Sequence, residues 1–119
     1  MKKVMIALTG IVMIMIVSCS KGGNGNNGVM EAPIDCSGAA KSFVTDVNPI
    51  IQASCTNAGC HNAGSNNGPG PLLNYQQVFN ARISIRSAVA SGFMPQNSKL
   101  SDAQKNAILC WIDNGAANN

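Results

Sequence analysis

Residues 54–61 read Ser-Cys-Thr-Asn-Ala-Gly-Cys-His, and this stretch limits what the chain can become more than any other. Two cysteines share one short loop, and the second is followed at once by His61, the only histidine in the protein. The start of the chain sharpens the constraint. A positive Met1-Lys2-Lys3 and the apolar run 4–17 read as an export signal over residues 1–18, because the run is too short for a comfortable membrane span and ends at small residues. Export implies an oxidising compartment, where free thiols rarely persist. Each cysteine therefore needs a chemical fate.

Ile16-Val17-Ser18-Cys19 resembles the end of bacterial lipoprotein signals. That resemblance implies cleavage before Cys19 and a diacylglycerol on its thiol; an ordinary signal with an incidental cysteine is the plainer alternative. Residues 19–33 form a Gly- and Asn-rich segment that cannot bury enough surface to offset its ordering entropy, so a flexible tether is expected, with a pro-segment as the other option. Ser20, rather than Asp, follows the cysteine, which in the Gram-negative lipoproteins it resembles points to the outer membrane and an exported, periplasmic-side protein. Lys2 and Lys3 lie in the signal, which leaves six basic against five acidic side chains. With no basic cluster left, nucleic acid is excluded as a partner class.

Residues 34–119 read as one mostly helical domain. Phe43, Val47, Ile50 and Ile51 form an apolar stripe at helical spacing, with Thr45 opening the helix and Pro49 in its first turn. Residues 74–80 predict a short helix capped by Asn74, and 81–92 a further one closed by Gly92, although Ile83 and Ile85 alternate. The last helix is the clearest: Ser101 and Gln104 form a capping box, Ile108, Leu109, Trp111 and Ile112 an apolar face, and Gly115 a stop. Two irregular stretches, 61–71 and 92–99, separate these elements. A domain this small buries only about 60% of its unfolded surface and often needs a staple or a cofactor. Something other than side chains is expected in its interior.

Four chemistries compete for Cys55, Cys60 and His61. Zinc needs ligands converging from different directions, and adjacent Cys60 and His61 project apart. A Cys55–Cys60 disulfide would account for the sulfurs and leave His61 an accident. A catalytic Cys–His pair needs an imidazole within reach and a third orienting group, which sequence neighbours seldom achieve. Covalent haem accounts for all three: two sulfurs form thioethers at the porphyrin edge while the next histidine ligates the iron at its centre. Adjacency helps there, because the two side chains have different targets on one ring. The spacing is Cys-x4-Cys-His rather than the common Cys-x2-Cys-His, so Thr56 to Gly59 must bulge, and Gly59 supplies backbone freedom.

With these residues the chain resembles the small class I-type c cytochromes, specifically single-haem domains with a Cys-x4-Cys-His motif, over roughly Phe43 to the C-terminus. The resemblance implies an all-α cytochrome c-like domain wrapped around one covalent haem c. Gly68-Pro-Gly-Pro-Leu-Leu73 is similar to the family's Gly-Pro-x-Leu stretch, which would place the Pro71 carbonyl on the free N–H of His61 and Leu73 against the haem face. Gly92-Phe-Met-Pro95 is similar to the Met-Pro loop, and Met94, the only methionine after the tether, becomes the second axial ligand opposite His61. A His/Met pair raises the reduction potential. Cys36 and Cys110 then remain, and the oxidising compartment favours a disulfide between them. Trp111 is expected to pack the last helix on the first; Arg82 and Arg86 either meet haem propionates or lie on a solvated face.

The expectation is an electron carrier rather than an enzyme: a haem-iron, metal-binding lipoprotein that exchanges single electrons with redox partner proteins, is held to the membrane by lipid at Cys19, and has no small-molecule substrate. Two alternatives stay open. One is a haem-based sensor or peroxidase-like protein with an open sixth position; the other is a haem-free, disulfide-stapled lipoprotein.

Overall fold

A computed structural model describes residues 33–119. The export signal, Cys19 and nearly all of the tether lie outside the described residues. The described chain is helical: a π-helical turn Phe43–Val47 runs into α1, Asn48–Ser54, followed by α2, Tyr75–Ala90, and α3, Asp102–Asp113, with no strand among the described residues.

The first helix starts earlier than expected. Ser42, not Thr45, is its cap, with the Ser42 hydroxyl accepting from the Thr45 N–H, and Pro49 falls in the first turn of α1. The unmet N–H groups of that opening turn are met from the far end of the chain. Val44 N–H donates to the Asn119 main-chain oxygen at 2.9 Å, and Phe43 N–H to Asn119 Oδ1 at 3.0 Å.

Residues 74–92, expected as two helices, form one. Asn74 caps α2 as read, its side chain accepting from Gln77 N–H, and the helix then runs unbroken for 16 residues. The alternation of Ile83 and Ile85 is only apparent. Val78, Ala81, Ile85 and Val89 are buried at helical spacing, while Ile83 is 67% exposed. Gly92 ends the segment at φ +71°, a backbone conformation that favours glycine.

In α3 the capping box of Ser101 and Gln104 is present in both directions. Six consecutive residues, Ala107 to Ile112, are buried. A helix buried on every side must be wrapped by neighbours, and α2, the π-helical turn, the N-terminal strap and the C-terminal tail supply them. Trp111 packs on Phe43 with ring centroids 5.4 Å apart and donates from Nε1 to the Ala117 carbonyl at 2.8 Å. Tyr75 meets Phe43 edge-on at 5.2 Å and donates to the Ala116 carbonyl at 3.0 Å, so both polar tips in this aromatic cluster are satisfied. The strap is covalently fixed: Cys36 and Cys110 form the expected disulfide, closing 74 residues of chain.

The arginines point away from the irregular loops. Arg82 stacks on the Phe79 ring 4.0 Å from its centroid, and Arg86 forms a two-bond ion pair with Asp113, whose carboxyl it holds below the usual value. That pair is exposed and contributes little to stability.

Candidate functional site

A cavity of about 740 Å³ is bounded by α1, α2, the Cys55–Cys60 loop and the two irregular stretches. Its volume is in the range of cofactor and ligand sites, about 300–1,000 Å³. Ile51, Leu72, Ile85 and Val89 form an apolar wall. Cys55, Cys60, His61 and Met94 all line it.

Each of these four is positioned by a separate local device. Cys55 caps the end of α1, its N–H bonded to the Ile51 carbonyl at 2.8 Å. The chain then turns through Gly59 at φ +80°, the left-handed conformation that the bulged loop requires there. Cys60 N–H returns to the Asn57 carbonyl at 2.9 Å, and His61 N–H to the Cys55 carbonyl at 3.0 Å, which closes the loop on itself. Met94 follows Gly92 in an irregular segment, tied to α2 by its N–H on the Ala88 carbonyl at 3.1 Å.

His61 is 7% exposed, the one buried polar residue of the described core. Its Nδ1 lies 2.9 Å from the Gly70 carbonyl oxygen. A carbonyl only accepts, so Nδ1 is the donor here, and in the neutral ring the lone pair then lies on Nε2. An imidazole held this way by one nitrogen is oriented to ligate or accept through the other.

Two expectations shift by one residue. The carbonyl on His61 belongs to Gly70, not Pro71, because the turn in which Gly70 N–H meets the Asn67 carbonyl carries Gly70 back toward the ring. The leucine on the cavity is Leu72, 3% exposed, whereas Leu73 is 42% exposed. Leu72 N–H bonds the His61 carbonyl at 3.0 Å, and Gln52 Nε2 holds the Leu72 carbonyl at 3.0 Å, which turns Leu72 inward. Successive residues in such an extended link face opposite ways. Arg82 and Arg86 do not line the cavity; none of its wall is Lys, Arg, Asp or Glu.

The metal-binding expectation is corrected. Among the described residues no group of three or more His, Cys, Asp or Glu side chains is placed to hold a metal ion. The reason is placement: Cys55, Cys60 and His61 line one cavity but do not converge on one ion, Cys36 and Cys110 are joined to each other, and no carboxylate reaches the cavity wall to complete a set. Zinc falls with it, and no metal, iron included, is assigned to a cluster of the chain's own side chains.

Cys55 and Cys60 are free thiols. Burial, and then the neighbouring Cys60, push the Cys55 thiol up from 9.0 to about 11. In the reduced, cofactor-free protein at pH 8, Cys55 should therefore react with iodoacetamide about 100-fold more slowly than in the denatured chain, as its thiolate fraction falls with that rise. Timed alkylation and peptide mass analysis measure this, and equal rates would contradict the burial.

Sequence reasoning missed Ser65, Asn67 and Gln52, which hold the loops by hydrogen bonds to main-chain carbonyls. Ile85 and Val89 were legible as a four-residue repeat in α2. Compared with known proteins, the chain matches no family model, no curated protein and no solved structure.

Proposed function

We propose that the cavity takes one haem c and that the protein is a single-electron carrier of cytochrome c type. The observation that carries this is the donor set on one cavity wall: two free thiols and a buried imidazole whose Nδ1 is already committed to the Gly70 carbonyl. The fit is chemical as well as spatial. Cys55 and Cys60 would hold the porphyrin by thioethers, His61 Nε2 would ligate its iron, and Met94 is the available thioether for the other side. A porphyrin brings four nitrogen ligands of its own, so the lack of a side-chain metal cluster does not oppose it. Bound haem would supply a ferric/ferrous couple. The chain's part is to orient the imidazole and to keep water from the buried wall of Ile51, Leu72, Ile85 and Val89. On this reading the export signal delivers the chain and lipid at Cys19 holds the carrier at a membrane surface, where redox proteins are its partners.

A second reading has a specific observation in its favour. The Cys36–Cys110 disulfide is directly seen, and a disulfide-stapled lipoprotein without haem needs nothing further. An open-sided haem protein, with Met94 off the iron, is the other rival.

A spectroelectrochemical titration of protein exported alongside haem-attachment machinery distinguishes the three. A reversible one-electron couple whose reduced form does not take up carbon monoxide supports the carrier. Ready carbon monoxide binding supports the open site, and a protein with no visible absorbance supports the stapled lipoprotein.

A further inference from the structure

The Cys55–Cys60 loop has two more residues than the common spacing, and its own hydrogen bonds do not reach the Gly59 and Cys60 carbonyls. Cys60 N–H and His61 N–H are used inside the loop, on Asn57 and Cys55. The Gly59 and Cys60 carbonyls are met from outside it. Asn67 Nδ2 donates to both, at 2.8 Å and 3.1 Å, and the Ser65 hydroxyl adds a second donor to Cys60. Ser65 Oγ in turn accepts from Asn67 N–H at 3.2 Å.

Asn67 reaches the imidazole as well. Its own carbonyl accepts from Gly70 N–H, and the Gly70 carbonyl accepts from His61 Nδ1. A single residue thus sets both the end of the loop that carries Cys60 and the peptide that orients His61. We propose that Asn67 is a positioning residue that holds Cys60 in register for thioether formation in the four-residue loop. This rests on the covalent haem reading. In that reaction each thiol adds across one vinyl group: sulfur bonds to one vinyl carbon, the thiol hydrogen goes to the other, the double bond is consumed, and nothing is oxidised or reduced.

The two thiols do not depend on Asn67 equally. Cys55 is anchored by the end of α1, whereas Cys60 hangs on the carbonyls that Asn67 holds. Losing the donor therefore frees Cys60 and leaves Cys55 in place.

The test is Asn67→Asp, nearly the same shape but without the donor, in the full chain matured with haem-attachment machinery. Asn66→Asp, an exposed neighbour given the same charge, is the control. After denaturation, alkylation and peptide mass mapping count the unreacted thiols at each position, and the unfolding midpoint of the same samples is recorded. The expected result is a rise of about five-fold in singly attached chains, the ratio that loss of one net hydrogen bond supplies, with the free thiol at Cys60, little change in midpoint, and Asn66→Asp like wild type. Full double attachment in Asn67→Asp, or a free thiol at Cys55 instead, overturns the proposal while the haem reading stands. A wild-type chain that carries no haem overturns the haem reading and the proposal with it. Should Asn67→Asp fail to fold, Asn67→Ala, which removes the donor without adding a charge, is read by the same thiol count and decides in the same way.

Discussion

Replacing Cys36 and Cys110 together with serine should lower the midpoint of thermal unfolding by on the order of 20 °C. The bond joins residues 74 apart, and a closure of that length restricts the unfolded chain by about 4 kcal/mol in the chain-entropy account. For a domain of this size each kcal/mol corresponds to about 4–8 °C. The folded state loses as well. Cys110 is 2% exposed in α3, so a serine there places a hydroxyl in the buried contact between α3 and the strap. The strap has little else to hold it: Asp35 N–H reaches Asn106 Oδ1 only at 3.4 Å. Thermal scans followed by circular dichroism, with reduced wild type beside the double variant, measure the effect. A shift under about 5 °C in both would mean that the strap contributes no stability.

Trp111→Ala should cost about 3–5 kcal/mol, as truncation of a large core aromatic does. Trp111 is 1% exposed, touches Phe43 and Tyr75, and satisfies the Ala117 carbonyl. It is also the point at which α3, the first helix and the C-terminal tail meet. Domains have only about 5–15 kcal/mol in total, so this variant is expected near the edge of folding. Ile83→Ala is the matched control: the side chain is 67% exposed, and its removal should change stability by less than about 0.5 kcal/mol. Urea unfolding of both variants gives the comparison. A small loss for Trp111→Ala would contradict the aromatic cluster as the centre of the core.

Much of this architecture was legible because local chemistry and burial agree. Ser101 and Gln104 announce the start of α3, and Asn74 the start of α2: the Ser101 and Asn74 side chains accept from N–H groups of the first turn, and the Gln104 side chain accepts from the Ser101 N–H. Residues 74–92 were expected as two helices, the second weakened by the alternation of Ile83 and Ile85, whereas one helix spans Tyr75–Ala90. The four-residue spacing of Ala81, Ile85 and Val89 marks the buried stripe, which Val78 joins, and Ile83 falls off it. Ser42 was missed as a cap because its helix opens with a π-helical turn, whose bonding frame differs from the α pattern.

The site divides in the same way. Cys55, Cys60, His61 and Met94 stand out by chemical type, and all four line one cavity. The Gly70 carbonyl and Leu72 were misplaced by one residue, since a loop with two glycines and two prolines has no periodicity from which to read a register. Ser65, Asn67 and Gln52 hold main-chain carbonyls across gaps of five to twenty residues, and no composition or spacing signals such a bond. The metal-binding expectation failed on placement, because among the described residues no three His, Cys, Asp or Glu side chains come together around one ion.

The central claim is that the Cys55–Cys60–His61 wall binds haem covalently, and the most direct measurement is the intact mass of the denatured mature protein after export with haem-attachment machinery. The account predicts one haem added to the chain with both Cys55 and Cys60 unavailable to alkylation, and loss of one attachment in each of Cys55→Ala and Cys60→Ala. A chain at its bare mass, colourless and with Cys55 and Cys60 joined to each other while a control cytochrome matures normally, would contradict it and leave a disulfide-stapled lipoprotein.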